Sequence, residues 1–143
     1  MKKRMLQLRA DRILSYISVF ERPGYSFGKW SDSEDWQQHF TRDETANRFV
    51  ETLYEDGWME PFDWGSWEPH AARFRRDIGA LSRARVSTLQ RLLCLHIRKD
   101  RFVEGHLAAM FESGDILRIL RRLAELQSRA PRGAKRRRRE RAN

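Results

Sequence analysis

The sequence predicts a mainly all-α protein, a compact bundle of about five to six short helices joined by aromatic-rich irregular loops. Three observations carry this. Apolar residues recur at three- and four-residue steps in several separate stretches, the period of a helix that buries one face. Several stretches are bounded by residue types that satisfy free backbone groups at helix ends. No segment alternates apolar with polar residues for long enough to predict a strand.

The first helix is expected over residues 5–20, where Leu6, Ala10, Ile13, Leu14, Ile17 and Phe20 form one stripe ended by Pro23-Gly24. Residues 21–40 hold no period and read as a packed loop, with a short helical turn near Trp36. Thr41-Arg-Asp-Glu44 fits a capping box opening a second helix, with Ala46, Phe49, Val50 and Leu53 on its buried face. Gly57 sits where a left-handed residue ends that helix, with Trp58 placed to fold back on the last turn. Pro69 suits the first turn of a third helix carrying Trp67, Ala71, Phe74 and Ile78 on one face. Leu89, Leu92, Leu93, His96 and Ile97 mark a fourth over residues 86–99. A fifth is expected over residues 102–111, ending at Ser113-Gly114, and Asp115 can cap a sixth that Ala130-Pro131-Arg132-Gly133 stops.

Composition bounds the rest. The 143 residues make room for one core, so residues 1–130 read as a single domain and 131–143 as a basic, flexible tail. The longest apolar-rich uncharged run, Ile13 to Phe20, falls far short of the ~20 residues that span a membrane. Arg9, Asp11 and Arg12 interrupt the stretch a signal peptide would need apolar, and a lone Cys94 suits a reducing compartment, so a cytoplasmic protein is expected. The net charge of +9 is divided: residues 31–68 carry two basic and eleven acidic groups, whereas residues 69–143 carry twenty basic and seven acidic ones. Arginine outnumbers lysine 24 to 5, a bias expected of a GC-rich bacterial genome.

The run Arg101-Phe-Val-Glu-Gly-His-Leu107, continuing through Phe111-Glu-Ser-Gly114 to Ile119-Leu-Arg-Arg-Leu123, resembles the signature of a family of small uncharacterised bacterial proteins, a domain of unknown function. Leu53-Tyr-Glu-Asp-Gly-Trp58 and Phe62-Asp-Trp64 extend the resemblance upstream, over roughly residues 25–127. It implies no activity, cofactor or site.

Three constellations could carry function. Glu104, His106 and Glu112 supply two carboxylates and an imidazole suited to acid–base chemistry. On a continuous helix, however, His106 points about 200° away from Glu104, and a structural ion pair with an arginine such as Arg101 is the expected role of the carboxylates. Trp30, Trp36, Trp64 and Trp67 lie in the acidic segment and could form a protein-binding face, although irregular segments also bury such rings to build a core. Lys135, Arg136, Arg137, Arg138, Arg139 and Arg141 form a run dense enough to contact phosphates, with Arg118, Arg121 and Arg122 on the preceding helix as further contacts. Cys94 and His96, two apart on a helix, face opposite sides, and His39 and His70 stand alone, so neither a metal nor a cofactor is expected. The leading expectation is a non-enzymatic bacterial or phage accessory protein that associates with nucleic acid non-specifically through its basic C-terminal pole. The alternatives are a protein-binding inhibitor or regulator acting through the acidic, tryptophan-rich surface of residues 30–68, and an enzyme built around Glu104, His106 and Glu112.

Overall fold

The computed structural model describes residues 10–31 and 39–142, with side chains as far as Arg129. In chain order the elements are α1 (Ala10–Leu14), α2 (Ile17–Phe20), β1 (Gly28–Trp30), β2 (Phe40–Arg42), α3 (Glu44–Glu55), α4 (Trp64–Arg76), α5 (Ile78–Ser82), α6 (Val86–Lys99), α7 (His106–Glu112) and α8 (Asp115–Ala142). The fold is mainly α, with one small antiparallel sheet.

Helix α6 has the bounds its apolar period predicts, and eight of its residues are buried, including the unbroken run Leu92–Ile97. A helix apolar on nearly every side belongs at the centre. It is walled by α4, α7 and the first half of α8, and α8 also packs on α1, α2 and α5. At one end of this bundle four phenylalanines close the core. Phe27 stacks on Phe111 at 4.7 Å between ring centroids, while Phe20 and Phe49 meet edge to face at 5.2 Å. These rings come from four parts of the chain, so the loop before β1 is tied to the bundle by aromatic packing.

Helix α3 ends as its sequence indicates. Gly57 takes φ +80°, the Trp58 N–H donates to Leu53 O at 2.9 Å, and the Gly57 N–H reaches Tyr54 O at 3.4 Å. This pair of reversed bonds satisfies two free carbonyls and turns the chain so that Trp58 is wholly buried. A Cβ-branched residue resists the left-handed conformation. Gly57→Val is therefore expected to lower stability by about 1 kcal/mol or more, which urea denaturation will measure.

Several expectations are corrected. The first helix is broken at Ser15-Tyr16, where the Ser15 hydroxyl takes the Arg12 carbonyl for itself. The capping box at Thr41 does not form, because Thr41 lies in β2 opposite Lys29. Asp43 caps α3 instead, accepting from the Ala46 N–H at 2.8 Å and from the Tyr25 hydroxyl at 2.6 Å, and Glu44 turns outward to Arg48. Burial and this carboxylate push the Tyr25 phenol up to about 12. Strands do occur, but three residues each are too few to show alternation. Pro69 lies inside α4 rather than in its first turn, because Asp63 starts the helix earlier by accepting from the Ser66 N–H and hydroxyl. Ile78 does not continue that helix face: Asp77 is extended, and Ile78 begins α5 with 67% of its surface exposed. Nor does Pro131 stop the last helix. The α8 backbone continues to Ala142, for proline forfeits one backbone bond while the arginines, lysine and alanines that follow are strong helix formers. The turn expected near Trp36 lies outside the described residues.

Candidate functional site

Helices α4, α6 and α7 converge on a small chamber that opens to solvent and is lined by both charged and apolar side chains. His96 projects from the buried length of α6, and His106 is the first residue of α7. Their rings lie 5.2 Å apart, and His96 Nδ1 meets His106 Nε2 at 3.0 Å, so one ring donates to the other. His96 is 4% exposed. Burial first, and then the neighbouring His106, push its pKa down to about 3. Burial, followed by Lys99, also lowers His106. Both rings are therefore neutral near pH 7, the form whose burial costs least.

Around this pair α4 contributes Glu68, Ala71, Ala72 and Arg75, while α6 contributes Leu95 and Lys99, and together they line a cavity of about 90 Å³. Glu68 forms an ion pair with Lys99. Arg75 Nε donates to Asp115 at 2.9 Å, and Asp115 is also held by Arg118 and the Ser113 hydroxyl. Burial alone would raise the Asp115 carboxyl, but these bonds outweigh it and hold the group below the usual range.

The loop between α6 and α7 is pinned at several points. Asp100 accepts from the Leu107 N–H at 2.9 Å and from Arg42 Nη1 at 3.0 Å, serving as a cap for α7 from seven residues upstream. Gly105 takes φ +78°, and a Cβ there would lie 2.5 Å from the Trp30 ring. The left-handed glycine and the remote cap explain why α7 starts at His106 and not at Phe102. Glu104 accepts from the Phe40 N–H at 2.9 Å and borders a second, shallower pocket of about 320 Å³ with Thr41, Arg42, Asn47 and Asp100.

The structure thus separates the three acid–base candidates. Glu104 is an exposed loop residue on the β2 side, His106 faces the chamber with His96, and Glu112 is exposed at the end of α7. Arg101 donates to the Tyr54 hydroxyl rather than to Glu104 or Glu112. Among the tryptophans, Trp30 is 47% exposed and packs edge-on against Phe40, while Trp64 and Trp67 are half-buried against Phe102 and Phe74. Trp36 lies outside the described residues. The arginines of α8 have partners inside the protein. Arg118 pairs with Asp115, Arg121 with Glu21 at 3.1 Å, and Arg122 donates to Ala84 O at 3.1 Å. The basic residues Lys135 to Arg139 and Arg141 lie on the helical backbone beyond Arg129, where no side chain is described.

Sequence reasoning missed the chamber. The spacing puts His96 in the apolar stripe of α6 and weighs it with Cys94 alone as a metal ligand, and it does not single out Glu68, Arg75 or Lys99. The signal that could have found them is a histidine at a position where leucine would serve, with a second histidine ten residues on. Among the described residues no group of three or more His, Cys, Asp or Glu is placed to hold a metal ion, and no helix is long and apolar enough to cross a membrane.

No match was found among curated proteins or among solved structures. The model of one family covers residues 5–129, which span α1 through the packed half of α8 and include the pinned loop and both histidines, and the chain belongs to that family, the family of unknown function DUF6508.

Proposed function

We propose that the protein associates with nucleic acid through phosphate contacts made by the basic end of α8, without reading base sequence. The continuity of α8 carries this reading: one helix leads from Ile116, fully buried in the core, to Ala142, and seven of the twelve residues from Arg132 onward are basic against one Glu140. At ~1.5 Å per residue, positions 132–142 extend over about 16 Å, along which duplex DNA carries about ten charges. The arginines nearer the core are committed to Glu21, Asp115 and Ala84, so the distal turns are the source of the affinity. Deleting residues 132–143 is expected to weaken binding to random duplex by at least about tenfold at low salt, with the far-UV spectrum retained apart from the lost turns. The intact chain should lose affinity steeply as salt rises. Equal binding by the truncated chain, or binding indifferent to salt, would contradict the proposal.

A second reading has one specific observation behind it. Phe102 is 76% exposed and Val103 48% exposed at the tip of the pinned loop, beside the half-buried Trp64. A braced loop that shows a phenylalanine to water suits recognition of a protein partner. It relocates the expected tryptophan face to this loop. An acid–base site has no comparable support, because Glu104, His106 and Glu112 do not share a cleft.

A further inference from the structure

The chamber between α4, α6 and α7 has features that core packing alone does not require. Ala71 and Ala72 stand where larger apolar residues would fill the space, and His96 occupies a buried position on α6, eight of whose residues are buried. Exposure is graded across the lining: His96 is buried, the Lys99 and Glu68 side chains are 28% and 38% exposed, and that of Arg75 is 51% exposed. The cavity therefore opens past charged groups onto an imidazole floor.

We infer that this cavity is a binding site for a small carboxylate with a short apolar body, an ion of about propionate size.

The volume of about 90 Å³ equals roughly three waters, which leaves room for four or five non-hydrogen atoms. It is far below the ~300 Å³ at which sites for drug-sized ligands begin. The lining selects the chemistry. Arg75 spends Nε on Asp115, and among the described residues its two Nη groups make no hydrogen bond. Lys99 has three donors and gives one to Glu68. In a pair of neutral imidazoles that share one hydrogen bond, one ring keeps a free N–H. Two cationic side chains and the imidazole pair thus line a space whose remaining walls are Ala71, Ala72, Leu95 and the Glu68 carboxylate paired with Lys99. A carboxylate satisfies the donors, and a short alkyl body covers the apolar wall.

The charges present argue against a metal ion. Lys99 and Arg75 both disfavour positive charge on the two imidazoles, and they would disfavour a bound cation likewise. The facing ring nitrogens hold a proton between them, and among the described residues no third ligand is placed beside them. Glu68, Asp100 and Asp115 act in the opposite sense on the rings, but Asp115 and Asp100 are already bonded to arginines and Glu68 to Lys99. An incoming carboxylate competes with Glu68 for Lys99 at the mouth.

The test follows the imidazole resonances of the full-length, 15N-histidine-labelled protein during titration with sodium propionate at constant ionic strength. Hexanoate, inorganic phosphate and zinc chloride are run in parallel. The expected result is saturable shifts of the His96 and His106 signals with a Kd on the order of 1–10 mM for propionate. Hexanoate, too long for the cavity, should bind at least about tenfold more weakly. Ala72→Leu fills the cavity from an exposed helix position and should weaken propionate binding at least tenfold without shifting the melting temperature. Lys99→Met should weaken propionate binding comparably through loss of the cation. The inference is overturned if the shifts do not saturate by about 100 mM propionate, if Ala72→Leu binds like the parent, if phosphate binds more tightly than propionate, or if zinc is the species that perturbs both rings.

Discussion

Replacing Trp58 with alanine is expected to remove about 3–5 kcal/mol of stability, the largest loss from any single side chain described here. Trp58 has no exposed surface and is the largest of the fully buried residues. The left-handed Gly57 delivers it into the space between α3 and α6. Its backbone carbonyl accepts from Gln90 Nε2 at 3.1 Å and from the Cys94 thiol at 3.2 Å, bonds that survive substitution. Hence the loss measures the ring alone. Among the described residues the buried indole Nε1 has no hydrogen-bond partner, so the polar atom adds nothing to hold the ring in place. Trp58→Phe, which discards that nitrogen and keeps most of the apolar bulk, is accordingly expected to cost only about 1–2 kcal/mol. Urea denaturation of both variants gives the comparison. A phenylalanine variant as unstable as the alanine one would mean that the indole nitrogen is satisfied after all.

Acid is expected to destabilise the domain well above the pH at which carboxylates titrate. His96 keeps its neutral form down to about pH 3 because burial, and then His106, oppose its protonation, whereas in the unfolded chain it titrates near 6.5. Between those values the unfolded state binds the extra proton and the folded state does not. The stabilisation is thus complete above pH 6.5 and falls by about 1.4 kcal/mol per unit as the pH drops toward 3. His106, also lowered, adds to the loss in the same direction. Asp115, whose carboxyl is held below the usual carboxylate range, contributes stability that is lost only at still lower pH, so the interval from 6.5 to 4.5 isolates the histidines. Thermal melts across that interval should show the decline, and His96→Gln should flatten it even though the variant is less stable at pH 8. A parent protein equally stable at pH 6.5 and 4.5 would refute the assignment.

The sequence was most legible where local chemistry and burial agree. The span of α6 could be read from its leucines, and the turn after α3 from Gly57-Trp58, because each depends on residues within one or two turns. It was least legible where a distant group decides a local outcome. Residues 102–111 have a plausible helical period, yet Asp100 and the Trp30 ring against Gly105 hold back the start of α7 by a full turn. Thr41 and Glu44 fit a capping box, but pairing with β1 takes Thr41 into a strand. The chamber was hidden for the same reason. His96 and His106 lie on different helices, and Glu68 and Arg75 reach them from a third, so spacing within any one helix could not show that they meet. The basic run was legible from composition alone; that it continues the core helix was not, since Pro131 and Gly133 are stop signals in most contexts.

Because α8 leaves the domain without a break, the direction in which its last turns face is a matter of angular phase. Each residue advances a helix by about 100°, so inserting a single alanine between Arg129 and Pro131 would swing the basic turns through that angle relative to the body, whereas four would leave them about 40° from where they began. A surface that meets a uniform polyanion tolerates either insertion. One that must lie against a target touching the pinned loop at the same time would tolerate only the second.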